Sequence, residues 1–298
     1  MANGAAAKLY IGTAGWSYPD WKGVVYPEKG KVDELAFIAR YFNAVEIDNT
    51  FYRPPEAKIA ASWVRRTGFR PDFHFTLKLW QRFTHERQTP YTQEEVDTIR
   101  RGIEPLAVSE RLGGILIQFP WSFRNDEDGR ALVERLATDF HGYRKWLEVR
   151  HRSWDTSESY RFLRQLDLGF TNIDQPVTKT SIGPSAILTS DAAYVRMHGR
   201  NHKAWFARDA GRDERYNYLY TDQELDEWVD RIRELTHQAG TAYVIMNNHY
   251  RGQAPANALQ LASKLSGQKV DVPPDLKETY PFLADIAWTK GEGRDMLF

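Results

Sequence analysis

The chain has no cysteine among its 298 residues, which excludes disulfides, thiolate nucleophiles and zinc–thiolate centres together. Any metal site would need His, Asp and Glu. A run of about 18 apolar residues is also missing, so no segment reads as a membrane-spanning helix. The opening MANGAAAKLY lacks the long apolar core of a secretory signal. A cytoplasmic protein with no membrane contact is expected. Net charge is absent as well: 40 Lys plus Arg balance 40 Asp plus Glu, so no global field draws the molecule toward nucleic acid or anionic lipid. No internal repeat and no Gly-, Ser- or Pro-rich linker divides the chain.

Aromatic residues are plentiful. Ten Trp, 15 Tyr and 15 Phe sit in a chain that is 42% hydrophobic and 27% charged, the balance of a folded domain. Short β-like runs alternate with helical patterns for most of the length, the signature of a parallel α/β fold. Strands are expected near Leu9–Thr13, Ala44–Asp48, Phe73–Lys78, Gly114–Gln118, Lys145–Val149, Gly169–Ile173, Ala193–Met197 and Ala242–Met246. Eight is the number that closes a (β/α)8 barrel. Helices are expected between them, with Thr221 and Glu224 forming a capping box at the start of one. Residues 175–191, rich in Thr, Ser and Pro, have no helical period and read as an irregular connection between strands six and seven. The expectation is a single TIM-type barrel domain over about residues 8–266, with a C-terminal extension over about 267–298 packed on its outside.

Strand residues alternate faces, so each strand divides into two sets. Glu46 and Asp48 oppose Val45 and Ile47, and His74, Thr76 and Lys78 oppose Phe73, Phe75 and Leu77. Trp146, Glu148 and Arg150 oppose Leu147 and Val149, and Tyr194, Arg196 and His198 oppose Val195 and Met197. Gln118, Asn172, Asp174, Asn247 and His249 add polar groups near the ends of three other strands. Burying that many charges costs several kcal/mol each unless they are paired. A network of ion pairs such as Glu148 with Arg196 is therefore one reading. A functional pocket is the other, favoured because the polar residues gather at the C-terminal strand ends, where barrel enzymes place their chemistry.

The segments carrying these residues are GTAGWSYPDWKG from Gly12, FNAVEIDNTFYRPP from Phe42, the Lys78 strand with Arg82-Phe83-Thr84-His85, LIQFPWSF from Leu116, EVRHRSW from Glu148, YVRMHGR from Tyr194 and NNHYRGQAPANA from Asn247. In this order they resemble the YecE-like proteins, a bacterial family of TIM-barrel proteins classed as a domain of unknown function. The resemblance spans nearly the whole chain and implies the barrel but no reaction. Asp48 stands where that family more often has Asn, and His249 where Asp is also common.

Three functions compete for the mouth. Lys78, Arg150 and Arg196 suit an anion clamp, with His198 and Glu148 moving protons, which points to an enzyme acting on a phosphate-bearing substrate such as a nucleotide, sugar phosphate or nucleic acid. Glu46 and Glu148 as paired acid and base, with Trp16 and Trp154 as sugar platforms, suit a carbohydrate-active enzyme. A non-catalytic ligand or nucleic-acid binder would use the same mouth. Two local basic stretches bear on that last class. Residues 65–87 hold six Lys or Arg against two acids, and residues 196–215 hold six against three beside Trp205 and Phe206.

Substrate-binding candidates are Trp16 and Tyr18 on a Gly-rich loop, then Asp48, Asn49, Tyr52, Gln118, Arg150, Trp154, Arg196, Asn247, Asn248 and His249. His198 and His202 are four apart, but Gly199 and Asn201 intervene after a strand, so the helical HExxH metal geometry is missing. One ion shared by His198 and His249 with Glu148 or Glu46 is the metal alternative. Because Lys78, Arg150 and Arg196 would repel a divalent cation, no tightly bound metal or cofactor is expected.

Overall fold

The computed structural model describes residues 7–288 apart from 206, 208 and 210; Arg212 is placed in its backbone only. Eight parallel strands close into a barrel in chain order: β1 (Lys8–Ala14), β2 (Ala44–Ile47), β3 (His74–Lys78), β4 (Leu112–Gln118), β5 (Lys145–Glu148), β6 (Gly169–Asp174), β7 (Ala192–Met197) and β8 (Thr241–Met246). β1 pairs with β8 through Leu9 opposite Ala242, which completes the ring. The outer layer includes the helices Ala57–Arg66, Gln93–Val108, Glu127–Asp139, Ser157–Gln165, Asp222–Gln238 and Gln253–Ser266. Thr92 and Thr221 both close capping boxes, with Glu95 and Glu224 returning the bond, which fixes where two of these helices begin. Among the described residues no helix is long and apolar enough to cross a membrane.

The crossing from β6 to β7 carries no helix over residues 175–191. It leans instead on the chain after β5, where Ile182 N donates to Arg150 O at 2.9 Å and Arg152 N to Thr180 O at 2.8 Å. Asn172 anchors the same segment, accepting from Ile187 N at 2.7 Å and donating to Ile187 O at 2.9 Å. This corrects the expected inward stripe on the sixth strand. Thr171 pairs in register with the interior Tyr194, so Asn172 and Asp174 face outward. There Asp174 accepts from Trp228 Nε1 at 2.5 Å, in the layer of outer helices. As far as residue 288 the C-terminal extension packs on the outer core through Leu276 and Leu283, and Tyr280 donates to Arg251 O at 2.8 Å. Residues 289–298 lie outside the described residues, as do Phe206 and Arg208 of the second basic stretch.

Large rings fill the barrel's interior. At the N-terminal end Tyr10 stacks on His74 and on Tyr243, with centroids 4.1 and 4.8 Å apart. Above them Trp146 lies 4.4 Å from Tyr194. Two glycines make this indole fit: a Cβ on Gly114 or on Gly169 would come within 2.4 or 2.3 Å of Trp146 ring atoms. The next layer toward the C-terminal mouth is charged.

Candidate functional site

The charged layer is a closed ion network. Arg196 reaches Glu46 with Nε at 2.9 Å and Nη2 at 2.5 Å, and Glu148 with Nη1 at 2.7 Å. Tyr194 adds a hydroxyl donor to Glu46 at 2.7 Å. Arg150 Nη2 donates to the other oxygen of Glu148 at 2.9 Å, and His198 Nε2 stands 3.3 Å from that same oxygen. Asn247 donates to His198 Nδ1 at 2.9 Å, as the ring is placed. Glu46, Glu148, Arg196 and His198 are all buried. These residues form a floor, not a wall.

Burial pushes the Glu46 carboxyl up to about 7 against the pull of Arg196, and neighbouring Asp48 adds to the push. Burial acts upward on Glu148 too, but Arg196, His198 and Arg150 together hold it well below the usual carboxylate range. His198 is driven down to about 3 by burial, with Glu148 opposing, so its ring is neutral near pH 7.

Above the floor lies a cavity of about 560 Å³ at the strand C-termini. Asp48 and Lys78, at the ends of β2 and β3, meet in its wall with Nζ 3.6 Å from Oδ1, at side-chain exposures of 30% and 14%. Lys78 also stands 4.4 Å over the ring of Phe51. Burial raises the Asp48 carboxyl, yet Lys78 and Arg196 outweigh it and keep the group below its ordinary value. His85, edge-on to Phe51 at 4.9 Å, is held down at about 4 by burial and then by Lys78, so it too is neutral. Asn49, Gln118, Asn247 and His249 supply polar edges, and Trp16, Tyr18, Tyr52 and Tyr216 supply ring faces. Tyr18 is fixed by its hydroxyl bond to Ala14 O at 2.6 Å and by stacking on His249 at 4.5 Å.

Tyr216 and Trp205 come from the segment after β7. Arg200 forks onto Asp174 with Nε at 2.9 Å and Nη2 at 2.7 Å, and Tyr218 donates to Glu224 at 2.6 Å, which ties that segment to the helix Asp222–Gln238. His249 Nε2 meets Asp213 Oδ1 at 3.2 Å across the mouth. Among the described residues no group of three His, Asp or Glu is arranged to hold a metal ion.

Residues 10–280 match the family described as protein of unknown function DUF72. The chain belongs to the DUF72 family. A DUF72 family protein of Thermotoga maritima, known as a crystal structure, is 37% identical with a TM-score of 0.78, covering 87% of this chain and 99% of that one. The UPF0759 protein YunF of Bacillus subtilis is 29% identical over 271 residues, 86% of this chain and 94% of its own length. The UPF0759 protein YecE of Escherichia coli is 29% identical over 115 residues, 39% of each. DUF72 membership agrees with the expected YecE-like family and its barrel.

On the DUF72 barrel the sequence-derived candidates separate into groups. Trp16, Tyr18, Asp48, Asn49, Tyr52, Lys78, Gln118, Asn247 and His249 line the cavity. Glu46, Glu148, Arg196 and His198 gather directly as the floor network, but burial removes them from substrate contact. Arg196 is thereby corrected as part of an anion clamp, since two edges of its guanidinium already donate to carboxylates. Asn248 is structural: it donates to Tyr218 O at 2.8 Å and to Asn257 at 2.9 Å. Trp154 is no sugar platform, because the turn Arg152–Trp154 buries its indole against Phe123 at 5.5 Å in the outer core. Arg66, Arg70, Arg82 and Arg200 of the basic stretches are ion-paired with Asp33, Asp72, Glu95 and Asp174. Phe51, His85 and Tyr216 of the cavity wall are absent from the sequence-derived set. Phe51 and His85 sit inside the motifs already quoted, next to residues that were chosen.

Proposed function

We propose that the protein is an enzyme acting on a small polyhydroxylated carbonyl compound of the carbohydrate class, bound in the cavity over the ion network. The charge balance of the mouth supports this most directly. Among the described lining residues Asp48 is the carboxylate that faces Lys78, one against one, so the main cavity offers no surplus charge for an anionic body. Its ring faces and amide edges suit the apolar faces and hydroxyls of a sugar. Asp48 is the one carboxylate among the described lining residues, which disfavours hydrolysis by two flanking carboxylates.

Single proton transfer beside a carbonyl is the chemistry that fits. Lys78 steadies the developing oxyanion, while ionised Asp48 and neutral His85 are the proton acceptors on the wall. The phosphate-bearing class narrows accordingly to substrates whose body is a sugar. Incubation with a panel of aldoses, ketoses and their phosphates in heavy water, read by proton NMR, tests the reading. Solvent deuterium should enter a substrate carbon, and Lys78→Met should slow that exchange by about a hundredfold or more. Asp48→Asn removes one of the two proton acceptors and leaves His85, so it should slow exchange less, by about tenfold to a hundredfold. A panel in which nothing binds or exchanges overturns the reading.

A further inference from the structure

A second hollow of about 380 Å³ adjoins the main cavity, and Gln118 and Tyr216 line both. Arg150 is the charged residue of its lining, flanked by Trp121 and Trp205, with its guanidinium 5.3 Å from the Trp205 ring centroid. The side chain is only 11% exposed. Among the described residues it has a single carboxylate partner, Glu148, and shares it with Arg196. Its Nε is buried and has no hydrogen-bond partner among the described residues. This guanidinium therefore has donors in excess of acceptors, in a site walled by indoles. A buried cation so placed gains more from a bound anion than an exposed one, because water competes less.

We propose that the Arg150 hollow is an anion subsite, receiving the phosphate or carboxylate end of a substrate whose hydroxylated body lies in the main cavity. The inference rests on the polyhydroxylated reading of that cavity and deepens it: the substrate is an anionic sugar, either a sugar phosphate or a sugar acid. Gln118 and Tyr216 form the sill over which the two parts of the ligand join. The planar fork of Arg150 fits two oxygens of either group, whereas Lys78 presents a point charge already facing Asp48.

Indole N–H signals in proton–nitrogen NMR of the full chain separate the subsites, with Trp205 and Trp16 assigned through Trp205→Phe and Trp16→Phe. Inorganic phosphate or acetate should shift the Trp205 signal with a dissociation constant in the millimolar range. Arg150→Gln should weaken that binding by about tenfold to a hundredfold, and Lys78→Gln should leave it intact. The tighter of the two anions identifies the substrate as phosphate ester or acid. Arg150→Lys keeps the charge beside Glu148 but not the fork, so it should stay folded and still bind phosphate more weakly. Anion affinity unchanged in both Arg150 variants overturns the proposal, as do shifts that move to Trp16 and vanish with Lys78→Gln, or no anion response at all. The whole panel of aldoses, ketoses and their phosphates failing to shift Trp16 while the Arg150-dependent response stands would instead sink the carbohydrate reading and leave the anion subsite in place.

Discussion

Glu46 and Asp48 lie two residues apart at the end of one strand, yet they belong to different regimes. Glu46 is sealed under the mouth with Arg196 bound across both its oxygens, while Asp48 faces the cavity with Lys78 at a looser 3.6 Å. The same contrast runs around the barrel: Glu148, Arg196 and His198 form a buried floor, and Lys78, Gln118 and His249 form a lined rim. A buried ion network is a poor source of net stability but is costly to break, since a lone partner is left as an uncompensated charge. A loosely paired rim can exchange partners when a ligand arrives. The floor thus holds the rim's geometry, and the rim is the part that faces the cavity.

The strongest test of this division is Arg196→Leu, which strands buried Glu46 without a cation and leaves Glu148 with Arg150 alone. We expect a loss of about 3–5 kcal/mol in urea unfolding, against less than about 1 kcal/mol for Lys78→Gln at the partly exposed rim. Equal losses would erase the distinction between floor and rim.

Two tryptophans sharpen it. Trp154→Ala should cost about 3–5 kcal/mol, the range for emptying a large core side chain, and should leave ligand shifts in the cavity intact. Trp16→Ala should cost far less in thermal melting and abolish those shifts. The opposite assignment would return Trp154 to the site.

The smallest expected difference between variants is in pH dependence. His198, His74 and His85 are held at about 3, 4 and 4, below the usual 6.5, mainly by burial. Their contribution to stability is complete above about pH 6.5 and is lost as pH falls through the folded values. Glu46, raised from 4.5 to about 7, acts in the reverse sense: its contribution is complete below 4.5 and is lost as pH rises through 7. Stability should therefore rise with pH between about 4.5 and 6.5, and the slope should steepen in Glu46→Gln. A shallower slope in that variant would contradict the assignment to Glu46.

The barrel was legible because its strands carry a period-two pattern bounded by turn residues, and because polar side chains collect at one end of several strands. Reading those faces as inward held for Glu46, Lys78, Glu148 and Arg196. It failed on β6, where the polar face serves the outer helices and the helix-free crossing. Periodicity says that two faces differ, not which one is inside. Depth was not legible either: Glu46 and Asp48 have the same chemistry in sequence, and only the tilt and closure of the barrel bury one. Trp154 was misread because its turn reverses the chain just past the strand end. Phe51, His85 and Tyr216 reach the cavity from turns and a connecting segment, where no period marks direction.

The rings stacked along the barrel axis have one more consequence. Tyr10, Tyr243, Trp146 and Tyr194 plug the barrel below the ion network, so the cavity is a blind cup rather than a channel. Whatever enters must leave over the same rim, past Trp16, Tyr52 and Tyr216. Under the proposed function, reactant and product would share one doorway, and each would have to clear it before the next could bind. For the enzyme proposed above, product would inhibit turnover whenever it shares the groups that grip the reactant, and mutations of the doorway rings would change how fast either leaves without touching Lys78.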